Sequence, residues 1–554
     1  MRRPLLVLLC TYAISVLGMV LIPGMDNQGK PWRMDFFHAF YFVSFMGSTI
    51  GFGEIPYPFT DAQRMWTTVT IYATVVSWLY GIGTLLSIVQ EPAFRRFVNE
   101  NMFTRAVRRI KEPFYIICGY GDTGSLLVRV LTEHGIRSVV LDIRQDRIDD
   151  LDSTGLTIEI PGLCADASNP NVLIAAGLKH HCCEGVVAVT DVDQVNLTIA
   201  ITSKLLVPDN PVICRAESQD TIDNMASFGT NFIINPFDTF ADRFAMLIHS
   251  PSMYLIEEWM ISTHLEPLRE PVMPPNGKWI ICGYGRFGKA VDQYLQTEGQ
   301  KTVIIESNPE QTGGPIDAVV GRGTEAVTLH QAKITEAVGI VAGTDNDINN
   351  LSIIMTAQDL NPGIFSVARQ SHRRHDPIFK AAKLDLIMQP GEIIAHKILA
   401  LIMNPLLADF LQLIQYKDRE WANMFISRIS GLVEDEAPDN WIIEITNQNA
   451  LAICEALQDG LEIQINHLLC DPRDRSHTLA ALPLLLKRDD EKILLPEESM
   501  PIHMGDKILF GGLRHASTLM YWTTNNLNVL EYIYCGIERP SGYVWRWFAN
   551  DDKS

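Results

Sequence analysis

The sequence predicts an α-helical membrane domain with two spans, followed by two tandem α/β domains and a small C-terminal α/β lobe. Three observations carry this. Two long apolar runs without charge, residues 4–25 and 65–90, precede everything else. A strand-like run leading into a glycine-rich turn occurs at Phe114 and returns at Trp279. At 554 residues the chain is also too long for a single core.

Pro4 to Met25 is long enough to cross a hydrocarbon core as a helix, and Arg2 and Arg3 precede it. The run exceeds the apolar core of a secretory signal, and no small-x-small cleavage pattern follows it. The second run, Met65 to Gln90, is followed by Arg95, Arg96, Arg105, Arg108, Arg109 and Lys111. Basic residues collect on the cytoplasmic side. Both termini are therefore expected inside the cell membrane of a multi-pass protein, with residues 35–63 outside.

Between the spans lies a segment, residues 35–54, that is aromatic and aliphatic up to Ser48. A third full span there would break this topology. The segment is expected to enter partway as a helix and return through Thr49-Ile50-Gly51-Phe52-Gly53-Glu54. Non-helical backbone at membrane depth survives only when it is buried in protein or lines an aqueous path. Gly51 and Gly53 accept positive φ without a Cβ penalty. Successive carbonyls then face one axis, where they can replace a cation's hydration shell.

That stretch resembles the selectivity filter of the potassium-channel pore family, whose pattern is TVGYG. The resemblance implies a permeant potassium ion held at Thr49, Ile50, Gly51 and Phe52, with Gly53 closing the filter and Glu54 at the pore mouth. Phe52 stands where the family carries Tyr, and Glu54 where it carries Asp. Gly81 and Gly83 on the second span match the inner-helix glycines at which the family bends to open its gate. Close packing of membrane helices is the other use of such glycines. One chain supplies only one filter strand, so the reading implies a homotetramer embedded in lipid.

The rest is a repeat. Phe114–Gly124 contains Gly119, Gly121 and Gly124, and Trp279–Gly288 contains Gly283, Gly285 and Gly288. Each turn is followed by a helical pattern and a second strand ending in an acid, Asp142 and Glu306. One glycine pattern is weak evidence, but the whole unit occurring twice predicts two Rossmann-like lobes. The duplication continues through Cys214-Arg215-Ala216 and Ala368-Arg369-Gln370 to helices opening at Pro236 and Pro390, with Pro-bounded turns at Pro251 and Pro405. These helices suit packing between domains.

The pieces resemble the RCK domains that regulate potassium conductance. Together with the filter they resemble prokaryotic two-span potassium channels with tandem RCK domains, the multi-ligand-gated GsuK-type channels. The boundaries expected are 1–91 for the pore domain, 92–112 for a linker and 113–270 for the first RCK domain. The second lobe with its closing helices follows at 276–425, and a C-terminal RCK lobe at 430–513. Residues 514–554 form an aromatic-rich tail without an assigned role.

The glycine turns let backbone amides approach a pyrophosphate, and the acids suit ribose hydroxyls, so NAD or another intracellular adenine nucleotide is the ligand expected. The first loop carries Asp122 but keeps Asp166 in a segment resembling the family's nucleoside-side acid. The second carries Arg286, which favours it for phosphate. Calcium is a further regulator of the resembled family, although no EF-hand-like loop is present. The basic run His372-Arg373-Arg374-His375 reads as a solvated helix start, with phosphate contact as the alternative.

A net charge of −20 excludes a general nucleic-acid binder. The cysteines, including those in His180-His181-Cys182-Cys183, read as reduced cytosolic residues rather than metal ligands. No motif argues for an enzyme. A membrane-anchored NAD-dependent oxidoreductase, or a regulatory subunit of a separate potassium transporter, would use the glycine loops but leave the filter-like stretch without a purpose.

Replacing Gly53 with Ala is expected to abolish potassium conduction or selectivity, because a Cβ opposes left-handed backbone. Phe52→Tyr should be tolerated. Bi-ionic potentials in reconstituted bilayers measure both, and normal selectivity in Gly53→Ala would remove the filter assignment.

Overall fold

The computed structural model describes residues 2–51, 53–261, 272–433 and 437–537. Phe52 and the last part of the C-terminal tail lie outside the described residues. The chain divides into two compact units, Met1–Ala106 and Val107–Ser554.

In the first unit, helix Arg2–Leu21 stops short of Met25, the end expected from hydropathy. Pro23 disfavours helical backbone just before it, and Gly24–Met25 instead pairs antiparallel with Pro31–Trp32. Helix Asp61–Gln90 begins four residues before Met65 because Thr60 and Gln63 form a capping box. Both helices are long and apolar enough to span a membrane. They run antiparallel, fixed by Thr11 Oγ1 and Ser77 Oγ at 2.8 Å and by Trp66 Nε1 donating to the Ser15 carbonyl at 3.1 Å. Between them sits helix Phe36–Gly47, whose N-terminus is capped by Asp35 accepting from the His38 amide. It buries Ala39, Phe42, Val43 and Phe45 against Val16 and Met19.

The second unit holds two parallel six-stranded sheets of identical topology. Phe114–Cys118 is central in the first, with Arg137–Asp142 and Gly162–Cys164 on one side. Cys183–Ala188, Val212–Arg215 and Phe232–Ile234 follow on the other. Lys278–Cys282 plays the central part in the second sheet. This order is that of a dinucleotide-binding fold, and it sets each glycine loop at the switch point where strand order reverses.

The closing helices are exchanged, which corrects their assignment to their own copies. Helix Pro236–His249, from the first copy, buries Phe237, Phe240, Ala241 and Phe244 in the core of the second sheet. Phe244 meets Trp279 edge-on at 5.2 Å between centroids. In return, helix Pro390–Met403 of the second copy buries Ile394, Ala395 and Ile398 in the core of the first. The helices that follow, Pro251–Ile261 and Pro405–Ile414, join a core shared with the C-terminal lobe.

That lobe is an antiparallel sheet of Asp439–Glu444, Lys507–Gly512, Ala481–Arg488 and Glu491–Leu494. Its buried Asp506 takes both nitrogens of a bidentate Arg488, at 2.9 and 2.7 Å. The boundary at residue 513 is too early. Helices Arg514–Asn525 and Leu527–Cys535 bury Ala516, Leu519, Met520 and Leu530 in the same core, so the described part of the tail belongs to this lobe.

Truncating Phe244 to Ala should cost about 3–5 kcal/mol. The loss is expected in the other copy's sheet. Hydrogen exchange at Lys278–Cys282 should rise with it, and unchanged protection there would contradict the exchange.

Candidate functional site

In the first unit the loop after helix Phe36–Gly47 takes left-handed backbone at three positions. Thr49, Gly51 and Gly53 have φ of 63°, 64° and 73°. The sequence pointed to the glycines; Thr49 joins them although a β-branched residue resists that conformation. The helix end holds it there, since the Thr49 amide donates to the Met46 carbonyl, and Ile50 and Gly51 both donate to Phe45. Ile50 is exposed, and Glu54 accepts from the Tyr41 hydroxyl at 3.2 Å. Helix Asp61–Gln90 runs unbroken through Gly81 and Gly83, and a Cβ at either would meet nothing within 4 Å. Packing within one chain therefore does not require these two glycines.

In the second unit the three glycines of each loop do different work. Gly119 and Gly283 turn the chain at φ of 104° and 94°. A Cβ on Gly124 would lie 1.9 Å from the Gly119 carbonyl oxygen, and one on Gly288 would lie 2.0 Å from that of Gly283. These four positions are fixed by folding. The middle glycines are not. Both Gly121 and Gly285 have ordinary negative φ. A Cβ on Gly285 would meet nothing, and one on Gly121 only the Arg147 guanidinium at 3.5 Å. The helices starting at Asp122 and Arg286 have no side-chain cap at their first-turn amides.

The two strand-end acids brace the loops. Asp142 Oδ2 accepts from the Tyr120 amide at 2.7 Å and from Arg147 at 3.1 Å, and Oδ1 accepts from the Arg144 amide. Glu306 accepts from the Tyr284 amide at 2.7 Å and the Asn308 amide at 3.0 Å. Burial raises the Glu306 carboxyl, but the Asn308 and Tyr284 amides outweigh it and hold it below the usual range. Asp166 is exposed and accepts from the Ser168 amide.

The electrostatics reverse the grounds on which the second loop was favoured. Arg286 is already paired, 2.8 Å from Glu217 of the first lobe, and Glu217 is also held by Arg215. A phosphate at that loop competes with a carboxylate. The first loop opens on a cavity of about 870 Å³ where Arg144, Arg147, Arg215 and Arg369 are paired with Asp146, Asp142, Glu217 and Asp345, and where Arg373 and Arg374 of the second lobe add further positive charge. The Arg373 amide reaches Asp122 at 3.4 Å. His372, Arg373 and Arg374 of the basic run therefore form one wall of this cavity, which local sequence could not disclose because the contact spans two domains.

Among the described residues two groups bring three ligand atoms within 4.8 Å of one another: His180, His181 and Cys182, and Asp347, His372 and His375. Neither is the all-oxygen set that calcium takes. Both runs stand out in the sequence, but only the fold brings Asp347 to the second. Asp347 is pulled below its usual range: burial opposes this, and bonds from the Ser371 amide and His375 outweigh it.

The TrkA-N domain model matches residues 115–236 and 279–390, and the Ion channel model matches residues 6–91. A "Potassium channel protein 1" of Methanocaldococcus jannaschii is 25% identical over 230 residues, which are 41% of this chain and 67% of that protein. A "Trk system potassium uptake protein TrkA homolog" of Methanothermobacter thermautotrophicus is 32% identical over 200 residues, 34% of this chain and 91% of its own. A solved structure described as "GsuK channel bound to NAD" covers 94% of this chain and 97% of its own at 15% identity, with a TM-score of 0.46.

Gly124→Ala should lower the thermal midpoint markedly, because its Cβ enters a backbone carbonyl with no flexible neighbour to yield. Gly121→Ala should leave the midpoint within a degree or two of the parent, about 0.5 kcal/mol or less. Equal losses in differential scanning calorimetry would contradict the division of roles among the glycines.

Proposed function

The chain belongs to the family of TrkA homologues, with two TrkA-N domains behind an ion-channel segment, and from that premise we propose that it is a potassium-selective channel gated by an intracellular adenine nucleotide. The single observation carrying the pore assignment is the left-handed backbone at Thr49, Gly51 and Gly53 at the end of a half-buried helix between two spans. Four such strands around an axis supply rings of carbonyls that replace water around potassium. Thr49, Ile50, Gly51, Phe52 and Gly53 form the filter, and Glu54 lies at its outer mouth. The pore is a homotetramer in the cell membrane, with both termini on the cytoplasmic side.

Gating follows from where the nucleotide sits. The pyrophosphate takes the open space over Gly121 and the amides that begin the helix at Asp122, and the ribose meets Asp142 once Arg147 swings onto phosphate. Arg373 and Arg374 reach the same cavity from the second lobe. Such a ligand favours one inter-lobe angle over another, and it shifts gating only by that difference in affinity. Residues 92–112 carry the change to helix Asp61–Gln90, where Gly81 and Gly83 leave room to bend. The second loop, with Gly283, Gly285, Gly288 and Glu306, binds more weakly because Glu217 occupies Arg286. We read the protein as a channel rather than an enzyme, since the cavity walls are arginines and carboxylates suited to holding a ligand.

Gly121→Val keeps the fold but fills the place of the pyrophosphate. It is expected to move the nucleotide dependence of potassium current at least about tenfold to higher concentration, while Gly285→Val moves it little. Single-channel recording with NAD, ADP and ATP on the cytoplasmic face tests this. Equal shifts in the two variants would return the sensor to both loops. Absence of potassium current under every nucleotide would remove the channel reading itself.

A further inference from the structure

We propose that Asp347, His372 and His375 form a binding site for a divalent transition ion of the zinc class, built into the second lobe and absent from the first. The inference does not rest on the channel or nucleotide readings. Three side chains converge on one point: His375 Nδ1 lies 2.6 Å from Asp347 Oδ2, and His372 Nδ1 lies 3.3 Å from the same oxygen. Ligands about 2.0–2.2 Å from a tetrahedral zinc stand about 3.3–3.6 Å apart. The His372–Asp347 separation already has that value, the His375–Asp347 one opens to it when a metal replaces the proton shared there, and the two histidine ligand atoms lie within 4.8 Å of each other.

The carboxylate is held for this task. Asp347 is buried, its side chain only 2% exposed, and its oxygens accept from the Ser371 amide at 2.7 Å and the His372 amide at 3.1 Å. Such bonds orient a ligand and limit the cost of assembling the site. His372 is half exposed and borders the cavity at the first glycine loop, so a fourth position is open to water or an anion. Two imidazoles and a carboxylate suit zinc and its neighbours rather than calcium or magnesium.

The chain contains its own control. Asp193 occupies the place of Asp347 in the first copy and accepts from the Glu217 and Ser218 amides in the same way. Ser218 and Thr221 stand there where the second copy has His372 and His375. The aspartate is thus needed to hold the turn after the fifth strand in both lobes. The histidines are not, and they are added where their rings meet its free lone pairs. A divalent ion at this point adds positive charge beside Arg373 and Arg374 and strengthens the cavity's preference for anions.

The test uses the full-length protein in detergent, stripped with a chelator and titrated with cobalt(II), whose visible spectrum reports a tetrahedral site. One cobalt per chain is expected, with ligand-field bands and no thiolate charge-transfer band. His372→Ser combined with His375→Thr copies the first lobe and should keep the thermal midpoint. It should weaken cobalt binding by about a hundredfold or more. Three results would overturn the proposal: no cobalt bound, the same affinity in the double variant, or a thiolate band lost in Cys182→Ser, which would place the ion at His180 and His181 instead.

Discussion

The exchange of two helices between the duplicated lobes is the constraint on which the second unit depends. Each parallel sheet has helices of its own, but neither has a complete apolar cover without the helix that closes the other copy. Phe237, Phe240 and Phe244 leave the first lobe to bury against Trp279, Ile281 and Phe287, and Ile394 and Ile398 return the favour against Ile117 and Leu127. At roughly 1.5–3 kcal/mol for each fully buried large apolar side chain, neither sheet keeps its stability with the other removed. The lobes are therefore a pair by construction. Their glycine loops face each other's domains because the exchange brings the switch point of one sheet to the fifth-strand turn of the other.

This placement makes the duplicated loops unequal. The same turn that carries Arg373 and Arg374 in the second copy carries Gln219 and Asp220 in the first. The loop holding Asp122 therefore faces a basic wall, and the loop holding Arg286 faces Glu217. Each loop's own charge is met by the opposite charge from across the interface. In the first cavity Arg144, Arg147, Arg215 and Arg369 are themselves paired with Asp146, Asp142, Glu217 and Asp345. Arg373 and Arg374 are therefore what the second lobe adds for an anion, whereas Glu217 occupies the one cation inside the second loop. A charge that looks favourable within its own motif can be spent before a ligand arrives.

Much of this was legible in the sequence, and the limit is physical. The spans, the re-entrant segment and both Rossmann-like lobes were read from local patterns: uncharged runs, glycine spacing, and an acid at the end of a strand. Such patterns record interactions within about one supersecondary unit. The glycine motifs were read correctly as turns, but only the positions of Gly119 and Gly283 carbonyls separate Gly124 and Gly288, which the fold demands, from Gly121 and Gly285, which it does not. Helix exchange, the Arg286–Glu217 pair and the meeting of Asp347 with His375 all join residues from distant turns. Periodicity does not encode them. The helices after residue 513 were missed for a simpler reason, since their aromatic composition hides the apolar face that Ala516, Leu519 and Met520 present.

The Asp347 group shows how duplication separates structural from added roles within one chain. Asp193 and Asp347 hold equivalent amides at similar distances, so a buried carboxylate at that corner is part of the fold. A buried carboxylate keeps its charge only when hydrogen bonds replace the lost water, and two amides provide that in the first lobe without any imidazole. In the second lobe the imidazoles add donors beyond that need, and one of them, His372, is held half in solvent at the edge of the arginine-lined cavity. A group that the fold does not require, placed where a ligand can reach it, is where a difference between two otherwise matching lobes becomes a difference in what they bind.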